Sequence, residues 1–252
     1  MKSEKKLLVT HHSSLGTVFT ADGSKTLHSE HYAQTFHSDK GAVTESKHVF
    51  LESSEVASNL RTGEGQQVLE VGFGTGLNFF LTADVALKHQ ASLTYVALEQ
   101  SLLPASIIHQ LGYEEHLENK EVLESYLQFR GSLRNEVENG QYSFEYKTVR
   151  LELFIGEATT QILIPNIIGA NILGVNLFDA IYQDAFSPDT NPELWSEDFF
   201  AKLYISLKPR GKLTTYSVKG DVRRALQKVG FTVEKRPGPP GGKREMLLAT
   251  KT

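Results

Sequence analysis

"LEVGFGTGLNFF", residues 69–80, decides how the rest of the chain is read. An apolar run ends in glycines at alternate positions, Gly72, Gly74 and Gly76, and passes straight into a segment with helical spacing. Glycine lets the backbone turn sharply and lets a ligand approach the main chain, while the first amides of a following helix face a negative group. The dinucleotide fingerprint requires its third glycine three residues after the second, a position held here by Leu77. The loop, preceded by Glu70, therefore fits a nucleoside cofactor without a pyrophosphate better than it fits NAD, and S-adenosylmethionine is the obvious candidate.

Working outward, strand-like and helical patterns alternate. Residues 67–73 read as a strand and 76–89 as a helix, followed by strand 93–99, helical stretches 102–112 and 114–130, strands 150–156 and 175–184, helix 196–208, strand 211–217 and helix 220–230. Such alternation implies an α/β fold with a doubly wound, mostly parallel sheet. Residues 231–251, "FTVEKRPGPPGGKREMLLATK", read as an antiparallel edge hairpin with a long Pro/Gly turn. Residues 5–32 read as short strands with a turn at Ala21–Ser24. The expected organisation is a small N-terminal β extension over residues 1–60 on a Rossmann-like domain over residues 61–252.

Composition narrows the class. With 252 residues, 40% apolar and 22% charged, the chain is long enough for one large α/β domain, and the absence of cysteine excludes disulfides and thiolate metal sites and fits a reducing cytosol. The N-terminus lacks the apolar core of a signal peptide, and "ILIPNIIGANILGVNLF" (162–178) is interrupted by Pro165 and three asparagines, so no membrane span is expected. Net charge is −4, but residues 202–252 carry thirteen Lys/Arg against three Asp/Glu, a local +10 that leaves −14 elsewhere. A basic face can hide in such a mean.

Three acids follow strands. Glu99 ends the strand after the glycine loop and is placed for ribose hydroxyls; Glu157 in "LFIGEA" is placed for an adenine amine. Asp184 ends the next strand, at the sheet edge where open α/β sheets bind ligands. Ser196 is the better cap for the helix that follows, which leaves Asp184 for chemistry. The loop "AFSPDTNPELW" (185–195) adds Phe186 and Trp195 as faces on which a base can stack, stiffened by Pro188 and Pro192.

Four stretches in this order, "HYAQTFHSDKGAVTESKHVFL" (31–51), "LEVGFGTGLNFF", "DAFSPDTNPELW" and "VRRALQKVGFTVEKRPGPPGGKREML" (222–247), closely resemble the MnmC-type tRNA-modifying methyltransferases. The resemblance implies a class I S-adenosylmethionine-dependent fold and methylation of the aminomethyl nitrogen of 5-aminomethyl-2-thiouridine at the tRNA wobble position. It also implies the stand-alone form, without the flavin-dependent oxidase domain of many relatives. By the same resemblance Asp184 is the catalytic aspartate. Glu70, Gly72, Phe73, Gly74, Gly76, Asn78, Glu99 and Glu157 belong to the cofactor side, and Asp184 is expected to touch the cofactor as well as the substrate. Glu45, His48, Phe186, Trp195, Tyr216, Arg223, Arg224, Lys243 and Arg244 belong to the substrate side, the basic ones toward tRNA phosphates. Glu157 replaces a common Asp, and Ala185 and Ser187 replace a common Gly and Ala. A cytoplasmic monomer with no metal and no obligate protein partner is expected. The alternatives are transfer to a small-molecule amine by a methyl- or aminopropyltransferase, and a non-catalytic RNA-binding factor on the same fold, against which Asp184 and the intact glycine loop argue.

Overall fold

The computed structural model describes residues 15–134, 137–161 and 176–252. The strand reading of residues 5–14, the interrupted apolar stretch over 162–175 and the first residue of the 175–184 strand lie outside them. The chain forms β1 (Leu15–Phe19), β2 (Lys25–Ser29), β3 (Gln34–Thr35), α1 (Ala42–Glu45), a π-helical stretch at Ser46–Glu52 and α2 (Val56–Arg61). It continues through β4 (Gln66–Val71), α3 (Leu77–Lys88), β5 (Leu93–Glu99), α4 (Ala105–Gln110), α5 (Glu121–Ser132), β6 (Gly140–Tyr146), β7 (Val149–Ile155) and α6 (Ala158–Gln161). The last elements are β8 (Phe178–Gln183), α7 (Glu197–Ser206), β9 (Leu207–Thr215), α8 (Gly220–Val229), β10 (Phe231–Pro237) and β11 (Glu245–Lys251).

β1, β2 and β3 make a small antiparallel sheet, and the other strands make one large sheet in the order β10-β11-β9-β8-β4-β5-β7-β6. The run from β9 to β7 is parallel, and β6, β10 and β11 are antiparallel. Parallel strands covered on both faces are buried at nearly every position, as β4, β5, β7 and β8 are, and their polar residues Gln66, Glu70, Glu152 and Gln183 are buried with the apolar ones. One face packs a core around Phe79, Phe80, Tyr95 and Tyr126, and the other a core around Trp195, Phe199, Phe200 and Leu226. The doubly wound architecture expected from the alternating pattern is present, with the C-terminal hairpin on its edge.

Two features differ from the reading of the sequence. β6 was not anticipated: "GQYSFEY" buries only Phe144, so its polar periodicity is that of an edge, yet it pairs with β7 along its whole length. Residues 42–52 and 56–60, within the stretch expected as a β extension, are helical. Their apolar residues Val43, Val49, Phe50, Val56 and Leu60 are all buried in the same core as α3.

Connectivity sets the site. From β4 the chain moves one way to β5 and β7, then returns to the other side of β4 for β8 and β9. The loops after β4, β5, β7 and β8 therefore gather at one sheet edge, at the point where strand order reverses.

Candidate active site

At that edge the glycine loop leaves β4. Gly72 has φ 90°, and a Cβ on it would lie 2.8 Å from the carbonyl oxygen of Asp184. Only glycine lets the loops after β4 and β8 lie this close. Gly74, at φ 52°, would place a Cβ 3.0 Å from the ring of Phe36. Gly76 caps α3. Beside these turns opens a cavity of about 690 Å³.

The cofactor side of the wall is built from Gly72, Phe73, Gly74, Glu99 and Glu157. Glu99 accepts the amides of Gly74 at 2.8 Å and Ser101 at 3.0 Å, tying the end of β5 to the glycine loop. Burial pushes its carboxyl up while those backbone bonds pull it back. Phe73 contributes backbone here, its ring packing inward near Phe79 and Tyr126. Glu157 is an exposed acid at the rim. A glycine cradle that a Cβ would fill, flanked by acids able to accept from hydroxyls or an amine, fits a nucleoside bearing an amino-acid tail.

Asp184, after β8, faces the cavity across from Glu45, Tyr216 and Lys243. Its Oδ2 accepts from Asn78 Nδ2 at 2.8 Å. Burial raises the Asp184 carboxyl well above the usual range; the charges of Glu70 and Glu45 add to this, and the Asn78 bond and Lys243 oppose it. Glu45 accepts the Ser38 amide at 2.8 Å and is also raised, mainly by burial. Lys243 comes from the exposed β10–β11 turn, but its ammonium sits 4.3 Å from the centre of the Tyr216 ring, and burial lowers its pKa against the pull of Glu45 and Asp184. Tyr216 donates to the Ala185 carbonyl at 2.8 Å, which holds the aspartate loop.

The N-terminal segment closes the cavity, a contribution the sequence reading did not assign. Tyr32 and Phe36 pack on Phe186, with centroids 4.4 Å and 5.2 Å away. The Gln34 side chain donates to Ser187 Oγ at 2.8 Å and Thr190 Oγ1 at 2.5 Å and accepts from the Ser187 amide at 3.3 Å. The available signal was the Tyr32 to Phe36 spacing within the "HYAQTFHSDKGAVTESKHVFL" stretch.

Other expected site residues lie outside the wall. Glu70 and Asn78 are buried beneath Asp184. Trp195 is not a stacking face: its ring is 5% exposed in the core and its indole N–H donates to the Phe186 carbonyl at 2.9 Å, so it supports the loop from behind. His48 is not at the rim, because its Nε2 meets the Pro237 carbonyl at 2.9 Å and joins the π-helical stretch to the hairpin. Arg223 and Arg224 lie on α8, Arg224 paired with Asp221, and Arg244 is on the exposed β10–β11 turn. Among the described residues no group of His, Asp and Glu is arranged to hold a metal ion, and no helix is long and apolar enough to cross a membrane.

A family model described as S-adenosyl-L-methionine-dependent methyltransferase matches residues 118–252. Among curated proteins, the tRNA 5-methylaminomethyl-2-thiouridine biosynthesis bifunctional protein MnmC of Leptospira borgpetersenii is 32% identical over 225 residues, 87% of this chain and 32% of its own. That of Actinobacillus pleuropneumoniae is 28% identical over 236 residues, 88% of this chain and 33% of its own. The chain thus spans about a third of the length of these curated relatives. The crystal structure of MNMC2 from Aquifex aeolicus matches 96% of this chain and 72% of its own with a TM-score of 0.74 at 26% identity. Glycine cradle, reversal-point cavity and family match together establish that the chain belongs to the S-adenosyl-L-methionine-dependent methyltransferases.

Proposed function

We propose that the chain methylates the exocyclic amine of 5-aminomethyl-2-thiouridine at the wobble position of tRNA, in the cytoplasm, giving 5-methylaminomethyl-2-thiouridine. The observation that carries this reading is the Asp184 carboxyl on the cavity wall beside the glycine loop, under a roof of Tyr32, Phe36 and Phe186. The MnmC relatives supply the nucleoside named.

Bound at the cradle, S-adenosylmethionine offers an electrophilic methyl group on a cationic sulfur. The backbone at Gly72 and Gly74 would hold its amino-acid end, Glu99 its ribose and Glu157 its adenine amine. An alkylammonium has no lone pair, so the substrate must give up a proton before its nitrogen can form the new N–C bond. The Lys243 ammonium disfavours a second cation nearby and so favours the free amine. Asp184 accepts the amine's N–H bonds, fixes its direction and stabilises positive charge as it develops on nitrogen. Tyr32 and Phe186 offer aromatic surface to an unstacked base.

Seven of the thirteen cations in residues 202–252 are paired with carboxylates. That pairing favours, as a second reading, a small-molecule amine as acceptor. Exposed pairs contribute about 0–1 kcal/mol each, so phosphates can displace them. The deciding experiment is transfer of labelled methyl to bulk tRNA from cells lacking the protein, with nucleoside mass analysis. A new 5-methylaminomethyl-2-thiouridine peak is expected; label confined to small amines would overturn the RNA reading.

A further inference from the structure

Beneath the cavity floor, one amide nitrogen serves two acids. Asn78 Nδ2, in the first turn of α3, donates to Glu70 Oε1 at 2.7 Å and to Asp184 Oδ2 at 2.8 Å. Glu70 and Asn78 are 1% and 2% exposed. Glu70 Oε2 and Asn78 Oδ1 are enclosed without a hydrogen-bond partner among the described residues. A buried ionised carboxylate with so few donors is costly, and two of them on one NH₂ group cannot both be charged without large repulsion.

We propose that Glu70 and Asn78 are positioning residues acting through Asp184: Asn78 aims Asp184 into the cavity, and Glu70 fixes which way round the Asn78 amide sits while sharing one proton with Asp184. A flipped Asn78 would turn Oδ1 toward two carboxyls and repel whichever is ionised. Glu70 accepts from Nδ2 and holds the amide the other way. Burial raises the Glu70 carboxyl to about 8, opposed by its bond with Asn78, and raises Asp184 as well, so the two titrate as one coupled pair in which the charge of the first to ionise resists ionisation of the second. Groups facing Asp184 are Glu70 on β4, Glu45 on α1, Tyr216 after β9 and Lys243 from the hairpin turn; Tyr95, Tyr182 and Glu99 face Glu70. The inference rests on Asp184 being the group that handles the amine.

The test uses Glu70→Gln, which keeps size and an acceptor for Asn78 but cannot ionise. Carboxyl-carbon NMR follows the Asp184 titration in wild type and variant, with the signal assigned by its loss in Asp184→Asn, beside the pH profile of kcat for methyl transfer. With the opposing Glu70 charge gone, the Asp184 titration and the acid limb of kcat are expected to move to lower pH, by about one unit as for coupled carboxyls. Asn78→Ser, which breaks the bridge, is expected to lower kcat with cofactor affinity kept. An Asp184 titration unmoved by Glu70→Gln would overturn the inference. If the wild type methylates no tRNA, the substrate reading fails while the NMR titration still decides the coupling.

Discussion

The two sides of the cavity are made in different ways. The cofactor side is mostly local: Gly72 to Gly74 lie in the turn between β4 and α3, Glu99 reaches back to it from the next strand by bonding the Gly74 amide, and Glu157 joins from the end of β7. The acceptor side is assembled from Tyr32 to Glu45, Asp184 to Phe186, Tyr216 and Lys243, segments that meet only because the sheet reverses and the N-terminal residues fold over its edge. Backbone therefore dictates the first side and side-chain contacts the second. Perturbations should separate accordingly, with cofactor affinity tied to the glycine loop and acceptor use tied to the roof.

The largest expected effect on cofactor affinity is at Gly74. In Gly74→Val a branched side chain must adopt φ 52° with its Cβ 3.0 Å from Phe36, and cofactor affinity measured by calorimetry should fall about 100-fold. Unchanged affinity would move the cofactor elsewhere. Next, Phe186→Ala should leave cofactor affinity within a few-fold and reduce kcat/KM for tRNA by about tenfold or more, the size of one lost stacking contact. Gln34→Ala should loosen the aspartate loop, which it binds through Ser187 and Thr190, with kcat falling about fivefold through misplacement of Asp184. A parallel loss of cofactor affinity in either variant would blur the division between the two sides.

Stability offers a separate check below the floor. The folded-state pKa of Glu70, about 8, is above that of an exposed glutamate, so the native state holds a proton that the unfolded chain releases. Stability from this group is complete below the unfolded pKa of about 4.3 and is lost as pH rises toward 8. Thermal melts should show Glu70→Gln gaining on wild type as pH rises from 5 to 8. The smallest effect is expected at Arg224, already paired with exposed Asp221: charge reversal there should change the salt slope of tRNA binding by about one.

What was legible in the sequence follows the same division. The glycine spacing, the strand-end acids Glu99, Glu157 and Asp184 and the hairpin after Phe231 are local patterns, and a period or a turn exposes them. Trp195 and His48 misled because an aromatic or a histidine near a site motif has the same spelling whether it faces the cavity or braces it from behind; burial and a partner carbonyl decide. β6 was hidden by its polar edge composition, and the helices over 42–61 by a π-helical stretch that breaks the 3.6-residue period. The roof formed by Tyr32, Gln34 and Phe36 depends on contacts with Phe186 and Ser187 about 150 residues away.

The central claim is that Asp184 acts on the acceptor amine and not on the cofactor. Single-turnover methyl transfer to tRNA, with S-adenosylmethionine affinity measured on the same preparation, tests it in Asp184→Asn, which keeps shape and removes the charge. Transfer slowed by about 10²- to 10⁴-fold with cofactor affinity within a few-fold of wild type is the expected result. Equal loss of both would make Asp184 a structural or cofactor-binding residue and contradict the account.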